Sequence, residues 1–375
     1  MRETNLHCLW RSESVAGRFR TGVSLHSHTL HSEENMAFVP RYTANVPVVG
    51  VAIARQGERY KERAGVELDY SRAFWRPPLG PREAFLLEAR QIQELGLDAF
   101  VSLSDHDNIQ AGLQLAFVQS GQPASVEWTI PYGPSFFHLG LHNLPAERAT
   151  EVLTELHSFT AQPELPRLAG ILSWINEFED TLIVLNHPMW DEARIGHAAH
   201  VQLLDSLLRE NGEFLHALEL NGLRPWQENL RVTRLARDSG YVLVSGGDRH
   251  GVEPNANINL SNSGSFAGFV SEIRRERMSD VLFLPQYREP IRLRMMDAMW
   301  DIIREHPDLP EGRRRWNERV FFKGLDGVTR PLSEIWKGNE PWPVKWFLGG
   351  LRALKSSRVR IALRAALADP QEAGS

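Results

Sequence analysis

The sequence has very little cysteine and no long apolar run. Its 375 residues include one cysteine, Cys8, which excludes a disulfide framework and a thiolate metal site. No stretch approaches the ~18 uncharged apolar residues that a membrane-spanning helix needs. The first residues include Arg2, Glu3, Arg11 and Glu13, without the apolar segment of a secretory signal. The sequence therefore predicts a soluble, cytoplasmic protein without a transmembrane segment.

The chain also lacks a surplus of positive charge. Its formal net charge of -5 disfavours a surface that coats long nucleic acid, although local basic patches leave that partner open. Hydrophobic residues at 42% and charged residues at 24% are ordinary for a globular protein. The length suggests about two domains, or one barrel with additions. The oligomeric state does not follow from these features.

Short apolar strands alternate with helices through most of the chain. Strands are predicted at 99–103, 181–185, 214–220 and 241–244, and helices between Pro81 and Gly96 and at 145–159, 166–178, 198–210 and 226–238. This alternation predicts parallel βα units that close a barrel, with functional residues at the carboxyl ends of the strands.

Two segments depart from this alternation. Residues 36–80 interrupt it as a hairpin, a lid or an unstructured linker, which could contribute to substrate choice. Residues 286–375 form a helical, tryptophan-rich extension with a helix predicted at 290–305. We therefore expect a barrel domain over residues 1–285, with the extension packed on it.

Histidine is the most informative residue type. A further strand is predicted near the start of the chain, where Val23 and Leu25 precede two histidines. His26 and His28 lie two apart at its end, so their side chains should project from the same face. Such a pair is either half of a metal site or two polar surface histidines. Later strand ends supply further candidate ligands, which favours the metal site. The full candidate set is His26, His28, Glu33, His106, Glu127, His138, His187, Asp248 and His250.

Each candidate taken alone has a simpler explanation: His138 could be a hydrogen-bonded core histidine, and Asp248 could stabilise a glycine turn. Nine such residues at successive strand ends are hard to explain independently. Imidazole and carboxylate ligands suit Zn²⁺, Mn²⁺ or Fe²⁺. Six histidines and three carboxylates exceed one tetrahedral site, so the set predicts two or three divalent ions.

The ordered motifs HSHTLHSEE, SDHD, VEWT, FFHLG, NHP and GGDRHG resemble those of the PHP (polymerase and histidinol phosphatase) superfamily over roughly residues 20–285. This resemblance implies an α/β fold of the distorted (β/α)7 TIM-like barrel type and a trinuclear metal centre that cleaves phosphoesters. It assigns His26, His28, Glu127 and Asp248 to a first ion, Glu127, His138 and His187 to a second, and Glu33, His106 and His250 to a third. Glu33 departs from the family pattern, where aspartate is more common.

The expected reaction is hydrolysis of a small phosphomonoester or nucleotide by a hydroxide that bridges the ions, with Glu127 and Asp248 as the catalytic carboxylates. Arg224 and Arg249 are candidate phosphate contacts, because a guanidinium offers paired hydrogen bonds to phosphate. Strand alternation, however, would point Arg249 away from its two neighbouring ligands, and Arg224 could be an ordinary surface arginine.

Three alternatives stay open. An amidohydrolase-type barrel would cleave C–N or C–O bonds, but it commonly bridges its ions through a modified lysine, and no lysine follows a candidate strand here. A metal-binding barrel without catalysis would be expected to lack some ligands. The basic, amphipathic segment 344–368 could bind a membrane surface or a partner, or it could pack on the barrel with its basic face in solvent.

Overall fold

The structure, a computed structural model, describes residues 3–40, 47–337, 342–354 and 357–367. Its strands are β1 Glu3–Cys8, β2 Thr21–Ser27, β3 Glu34–Asn35, β4 Ala73–Trp75, β5 Asp98–Leu103, β6 Val126–Tyr132, β7 Ser135–His142, β8 Leu182–Leu185, β9 Ala217–Asn221, β10 Val242–Gly246, β11 Asn257–Ser261, β12 Met278–Phe283, β13 Val320–Lys323 and β14 Thr329–Pro331. Its helices are α1 Pro47–Ala64, α2 Pro81–Glu94, α3 Gln110–Val118, α4 Ala149–Ala161, α5 Leu165–Asn176, α6 His197–Asn211, α7 Trp226–Ser239, α8 Phe266–Ser271, α9 Ile291–Ile303, α10 Trp316–Arg319, α11 Leu332–Trp336, α12 Trp342–Leu354 and α13 Ser357–Leu367.

Most predicted elements are confirmed to within a few residues. Helix α2 follows its sequence pattern, with Phe85, Ala89 and Ile92 buried on one face. The predicted helix at 290–305 is α9, whereas the single basic helix predicted at 344–368 is two helices, α12 and α13, with residues 355, 356 and 368 outside the described ranges. Strands β1, β3, β4, β6, β7, β11 and β12 were not predicted, and the extension predicted to be helical also contains strands β13 and β14.

Two five-stranded sheets form the body of the protein. The first has the order β1-β12-β11-β2-β5, in which β11 runs antiparallel to both of its neighbours. The second has the order β10-β9-β8-β7-β6, in which β8, β9 and β10 are parallel and β7 is antiparallel to its neighbours. Strands β2, β8, β9 and β10 are buried along their whole length, which explains why β8 is apolar throughout. The fold is therefore α/β.

The two sheets meet at two points beside the candidate ligands. A parallel bridge joins His106, beyond β5, to Glu127 in β6. At the other edge the backbone N–H groups of Gly247 and Asp248 donate to the carbonyls of Leu25 and His26, over 2.9 and 2.7 Å. The strands of the described ranges nevertheless form separate sheets rather than one continuous closed ladder. The predicted (β/α)7 barrel is therefore not confirmed.

The apolar core lies between the two sheets and under their helices. One cluster combines Val23 and Leu25 of β2 with Val184 of β8, Val244 of β10 and Phe269 of α8. The largest cluster covers the outer face of β6 and β7, where Trp128 packs against Phe159 of α4 with their ring centroids 5.5 Å apart. These clusters hold the carboxyl strand ends in fixed positions, which is what a site assembled from several strands requires.

A third sheet connects the excursion with the C-terminal extension. Its order is β14-β13-β4-β3, so strand β13 of the extension pairs with β4 of the excursion, which pairs with β3. The backbone N–H of Arg76 also donates to the carbonyl of Arg319 over 2.9 Å. The excursion contains helix α1 and strand β4, and the two segments described separately from sequence share one sheet. In the part of the chain that the structure describes, no helix has the length and apolar character to cross a bilayer.

Candidate metal centre

An irregular end of strand β2 places the first two histidines. The register between β2 and β5 shifts between Ser24 and Ser27, and His26 adopts the left-handed backbone conformation with φ +63°. His28 is fixed by its backbone N–H, which donates to the carbonyl of Arg249 over 2.9 Å. As a result, the Nε2 atoms of His26 and His28 lie 3.0 and 3.2 Å from Oε2 of Glu127. The side chains converge as predicted, but a strand irregularity rather than regular alternation produces that arrangement.

The carboxylate of Glu127 lies at the centre of the cluster and is completely buried. Its Oε2 faces His26 and His28, and its Oε1 lies 3.5 Å from Nδ1 of His138 and 3.3 Å from Nε2 of His187. The two oxygens of one carboxylate therefore face two different sets of imidazoles. Neither Glu127 nor His138 lies at a strand end as predicted, because both belong to the antiparallel pair β6–β7.

Asp248 adds a second carboxylate from the loop after β10. It also has a left-handed backbone, with φ +54°, and its Oδ1 lies 3.7 Å from His26 Nε2 and 3.6 Å from His28 Nε2. Asn221 donates to its other oxygen, Oδ2, over 3.3 Å. His187, with φ +27°, completes a group with His26 and Asp248. Three non-glycine residues in this costly conformation at one point are typical of a functional site.

A further group contains Glu34 rather than the predicted Glu33. The carboxylate of Glu34 lies 3.2 Å from His250 Nε2 and 3.5 Å from His106 Nε2. The side chain of Glu33 instead points to solvent and pairs with Arg76. The reason is the antiparallel pairing of β3 with β4, in which Glu34 faces Trp75 and successive side chains alternate between faces. The expectation for Glu33 is therefore corrected by one residue.

The ligand atoms therefore form four overlapping groups, within each of which they lie within 4.8 Å of one another. These groups are His26–His28–Glu127, His26–His187–Asp248, His106–Glu127–His138 and His28–Glu34–His106–His250. Eight of the nine predicted residues belong to them, and Glu34 takes the place of the ninth.

The charges of the cluster suit cations. Burial alone would raise the pKa of Glu127, but His26 and its neighbours hold that pKa well below its usual range. The same competition, with His106 beside Glu34 and His26 beside Asp248, lowers the pKa of both of those carboxyl groups. Three ionised carboxylates among imidazoles are the donors that divalent transition metals take in proteins.

Three polar atoms at the centre face one another without a hydrogen bond. Within the described residues, His26 Nε2, His28 Nε2 and Glu127 Oε2 are buried and no hydrogen bond satisfies them. Leaving a buried polar group unpaired costs about 1–3 kcal/mol, so three at one point would be strongly unfavourable. A cation bound between them would satisfy all three. The residues present therefore fit a divalent metal ion.

A carboxylate behind the candidate ligands, Glu219, orients two of them and was not predicted from the sequence. Glu219, buried in β9, accepts from His26 Nδ1 over 2.5 Å and from the backbone N–H of His187 over 2.7 Å. A proton held at Nδ1 leaves Nε2 of His26 as the free lone pair. The signal for Glu219 was a single charged residue within the apolar run Ala217–Asn221.

Arg249 is buried and bonded to other protein groups, which disfavours its predicted role as a phosphate contact. Its guanidinium is buried and donates from Nε to Glu88 over 2.7 Å, from Nη1 to the Gly251 carbonyl over 2.8 Å and from Nη2 to the His28 carbonyl over 3.1 Å. These bonds leave it no freedom to contact a substrate. Glu88 could have been suspected from sequence, because it falls on the apolar face of α2 beside Phe85.

Arg224 lies at the rim of the site. Its guanidinium is 4.5 Å above the Trp190 ring, and that ring is 5.0 Å from the ring of His187. It already forms a two-bond ion pair with Glu228, over 2.7 and 2.9 Å. Burial raises the pKa of Glu192, in the same loop as Trp190, to about 7. A carboxylic acid with such a pKa is suited to proton transfer near neutral pH.

Comparisons with known proteins give little further information. No protein-family model matches the chain, and no curated protein matches it. Among solved structures, the chain is similar to PsfC from Pseudomonas syringae, with 15% identity and a TM-score of 0.36, over 76% of this chain and 98% of that one. It is also similar to a protein from Bifidobacterium adolescentis, provisionally named a metal-dependent phosphoesterase, with 15% identity and a TM-score of 0.32, over 52% and 91%. At these TM-scores the similarities establish neither the fold nor the activity of this chain.

Proposed function

We propose that this protein is a PHP-type hydrolase that cleaves a small phosphomonoester or nucleotide at a centre of two or three divalent ions. The observation that carries the proposal is the convergence of His26 Nε2, His28 Nε2 and Glu127 Oε2, which are buried and have no hydrogen-bond partner in the described part of the chain. The ordered motifs that contain these residues resemble those of a phosphoesterase superfamily.

The family resemblance and the measured contacts together suggest how ions would be held. The resemblance assigns His26, His28, Glu127 and Asp248 to one ion, and Glu127 with His138 and His187 to a second, and the side chains of each set lie within 3.7 Å of a carboxylate of that set. Glu34, His106 and His250 would hold a third. Bound ions of this kind lower the pKa of water and stabilise charge on phosphoryl oxygens. Zn²⁺, Mn²⁺ and Fe²⁺ all match the imidazole and carboxylate donors.

The surrounding residues keep the donors in position. Glu219 presents Nε2 of His26 to the centre, and Asn186 donates to Oε1 of Glu127 over 2.9 Å. Asp105 accepts from both the backbone N–H and the hydroxyl of Thr29, over 2.5 and 2.8 Å, directly after the two histidines. Little rearrangement is then needed when ions and substrate bind, which is how a preorganised site saves binding energy.

Hydrolysis of p-nitrophenyl phosphate by the purified protein tests the proposal. We expect turnover with Mn²⁺ or Zn²⁺, loss of turnover with a chelator, and loss with Asp248→Asn, which removes a carboxylate charge from the cluster. Asp205→Asn on the exposed face of α6 is the matched control and should retain activity. Full activity of Asp248→Asn, or metal-loaded protein inactive on a panel of phosphoesters, would contradict the proposal.

The two other candidate functions are distinguished by the same measurements. An amidohydrolase would turn over amides or lactones instead of phosphoesters, and no lysine follows a candidate strand in the sequence. A non-catalytic metal protein would bind the ions without any turnover. We favour the phosphoesterase because eight of the nine predicted ligands belong to these groups, and their motifs resemble those of a phosphoesterase superfamily.

A further inference from the structure

Two tryptophans on helix α12 are exposed to solvent. Trp342 has 70% and Trp346 has 78% of its surface accessible. Residues four apart lie on the same face of a helix, so the two indoles form one apolar patch. No atom of the described residues lies within 4 Å of a Cβ placed at Gly349 or Gly350 in the next turn, so this side of the helix is open among them. Exposed apolar patches of this kind mark interaction surfaces.

The opposite side of α12 is already used for packing. Val344, Leu348 and Leu351 are half-buried and lie on the side of the helix away from the indoles. Both α12 and α13 contact α9, and Arg360 of α13 forms an ion pair with Asp297 of α9 over 2.7 Å. The helix is therefore attached to the protein by one face and presents the tryptophan face outward.

The same segment is strongly cationic. Residues 342–367 contain Lys345, Arg352, Lys355, Arg358, Arg360 and Arg364 and no aspartate or glutamate, although the whole chain has a net charge of -5. Lys345 and Arg352 are exposed and lie beside the tryptophan face. Within the ranges that the structure describes, neither of these two cations has an ion-pair partner. The outward face thus combines indoles with uncompensated positive charge.

We propose that this tryptophan face, Trp342, Trp346, Lys345 and Arg352, binds the surface of an anionic lipid bilayer. Indoles favour the boundary between headgroups and hydrocarbon, and lysine and arginine attract anionic headgroups. The 13 residues of α12 extend about 20 Å, too short to cross the hydrocarbon core, so the helix lies along the surface. A nucleic acid is the poorer fit, because only two described cations on this face are free while most of its area is apolar.

The test is binding of the full-length protein to lipid vesicles, measured by co-sedimentation. We expect binding to vesicles of phosphatidylcholine mixed with phosphatidylglycerol, weaker binding to phosphatidylcholine alone, and weaker binding at high salt. Lys345→Gln with Arg352→Gln should lower the partition coefficient about 25-fold, since each cation near an anionic surface contributes about five-fold. Trp342→Ser with Trp346→Ser should abolish binding.

Matched controls distinguish vesicle binding by this face from non-specific adsorption of the protein. Phe117→Ser removes another aromatic side chain that is 91% exposed, on α3, and Arg209→Gln removes an exposed cation on α6. Both should bind vesicles like the unaltered protein. Circular dichroism of the double tryptophan variant should show unchanged helix content, so that loss of binding reports the missing indoles.

Several outcomes would overturn the proposal. These are no binding to anionic vesicles, equal binding by the double tryptophan variant, and equal binding to neutral and anionic vesicles. Two further outcomes, each without vesicle binding, would identify another occupant. One is binding of a single-stranded oligonucleotide that the same substitutions abolish. The other is self-association, detected by sedimentation, that the same substitutions abolish. Neither outcome depends on the metal centre or on its proposed activity.

Discussion

The buried ion pair between Glu88 and Arg249 should be one of the strongest determinants of stability. Both side chains are nearly inaccessible, and Glu88 also accepts from the backbone N–H of Asn255 over 3.1 Å. Glu88→Gln removes the negative charge and leaves the guanidinium of Arg249 buried without compensation. Breaking a buried pair in this way costs about 3–5 kcal/mol. We expect the free energy of unfolding to fall by that amount.

The effect should extend to the metal centre. Arg249 lies between two candidate ligands, Asp248 and His250, and donates to the carbonyl of His28. An uncompensated guanidinium is more stable in contact with water, so the loop that carries it would shift and would move Asp248, His250 and His28. Glu88→Gln should therefore also reduce the metal retained after dialysis, as measured by elemental analysis.

A double-mutant cycle separates the pair from each residue alone. Urea unfolding followed by circular dichroism gives the free energies for Glu88→Gln, for Arg249→Met and for both together. Because either single change already breaks the pair, the double variant should lose about as much as one single variant and far less than the sum. Additive losses, or a loss below about 1 kcal/mol for Glu88→Gln, would refute this reasoning.

Three further predictions concern other residues. Glu34→Gln should lower the number of ions retained per chain, whereas Glu33→Gln should not. Equal metal content in the two variants would contradict the placement of Glu34, rather than Glu33, among the ligands. Glu219→Gln should weaken metal affinity about 10–100-fold, measured by competition with a chelator, because the hydrogen bond to His26 Nδ1 is weakened. Burial lowers the pKa of His216 to about 3, so it stays neutral in the folded protein while the unfolded chain binds a proton below about pH 6.5. The free energy of unfolding should therefore decrease as the pH is lowered from about 6.5 towards about 3, by about 2 kcal/mol near pH 5. In urea unfolding, His216→Gln should flatten this part of the plot of stability against pH.

The candidate ligands could be predicted because their chemistry is local in sequence. Each is a histidine or carboxylate within a short motif, and the motifs occur in a fixed order. Among the candidate ligands, the sequence predicted the wrong neighbour where pairing with a distant segment determines which side chain faces the cluster. Glu33 and Glu34 are equivalent by composition, and only the pairing of β3 with β4, some 40 residues away, selects Glu34. That pairing has no signature in the motif itself.

The same reason explains the missed parts of the fold. Strand β13 pairs with β4 across more than 240 residues, so no local pattern could connect the extension with the excursion. Strand β6 was missed because Glu127 and Thr129 interrupt its apolar residues. Arg249 looked like a phosphate contact because its partner Glu88, at the centre of α2, is 161 residues away in the chain.

The pairing of β13 with β4 also sets the order in which the protein can mature. Strands β3 and β4 form a very short pair, and two short strands alone are only marginally stable in water. The strand that carries Glu34 therefore gains this support only once Val320–Lys323 has been synthesised and has joined the sheet. His26, His28 and Glu127 are synthesised far earlier. A ribosome-bound chain would thus contain these three candidate ligands long before it contains the strand that stabilises the position of Glu34.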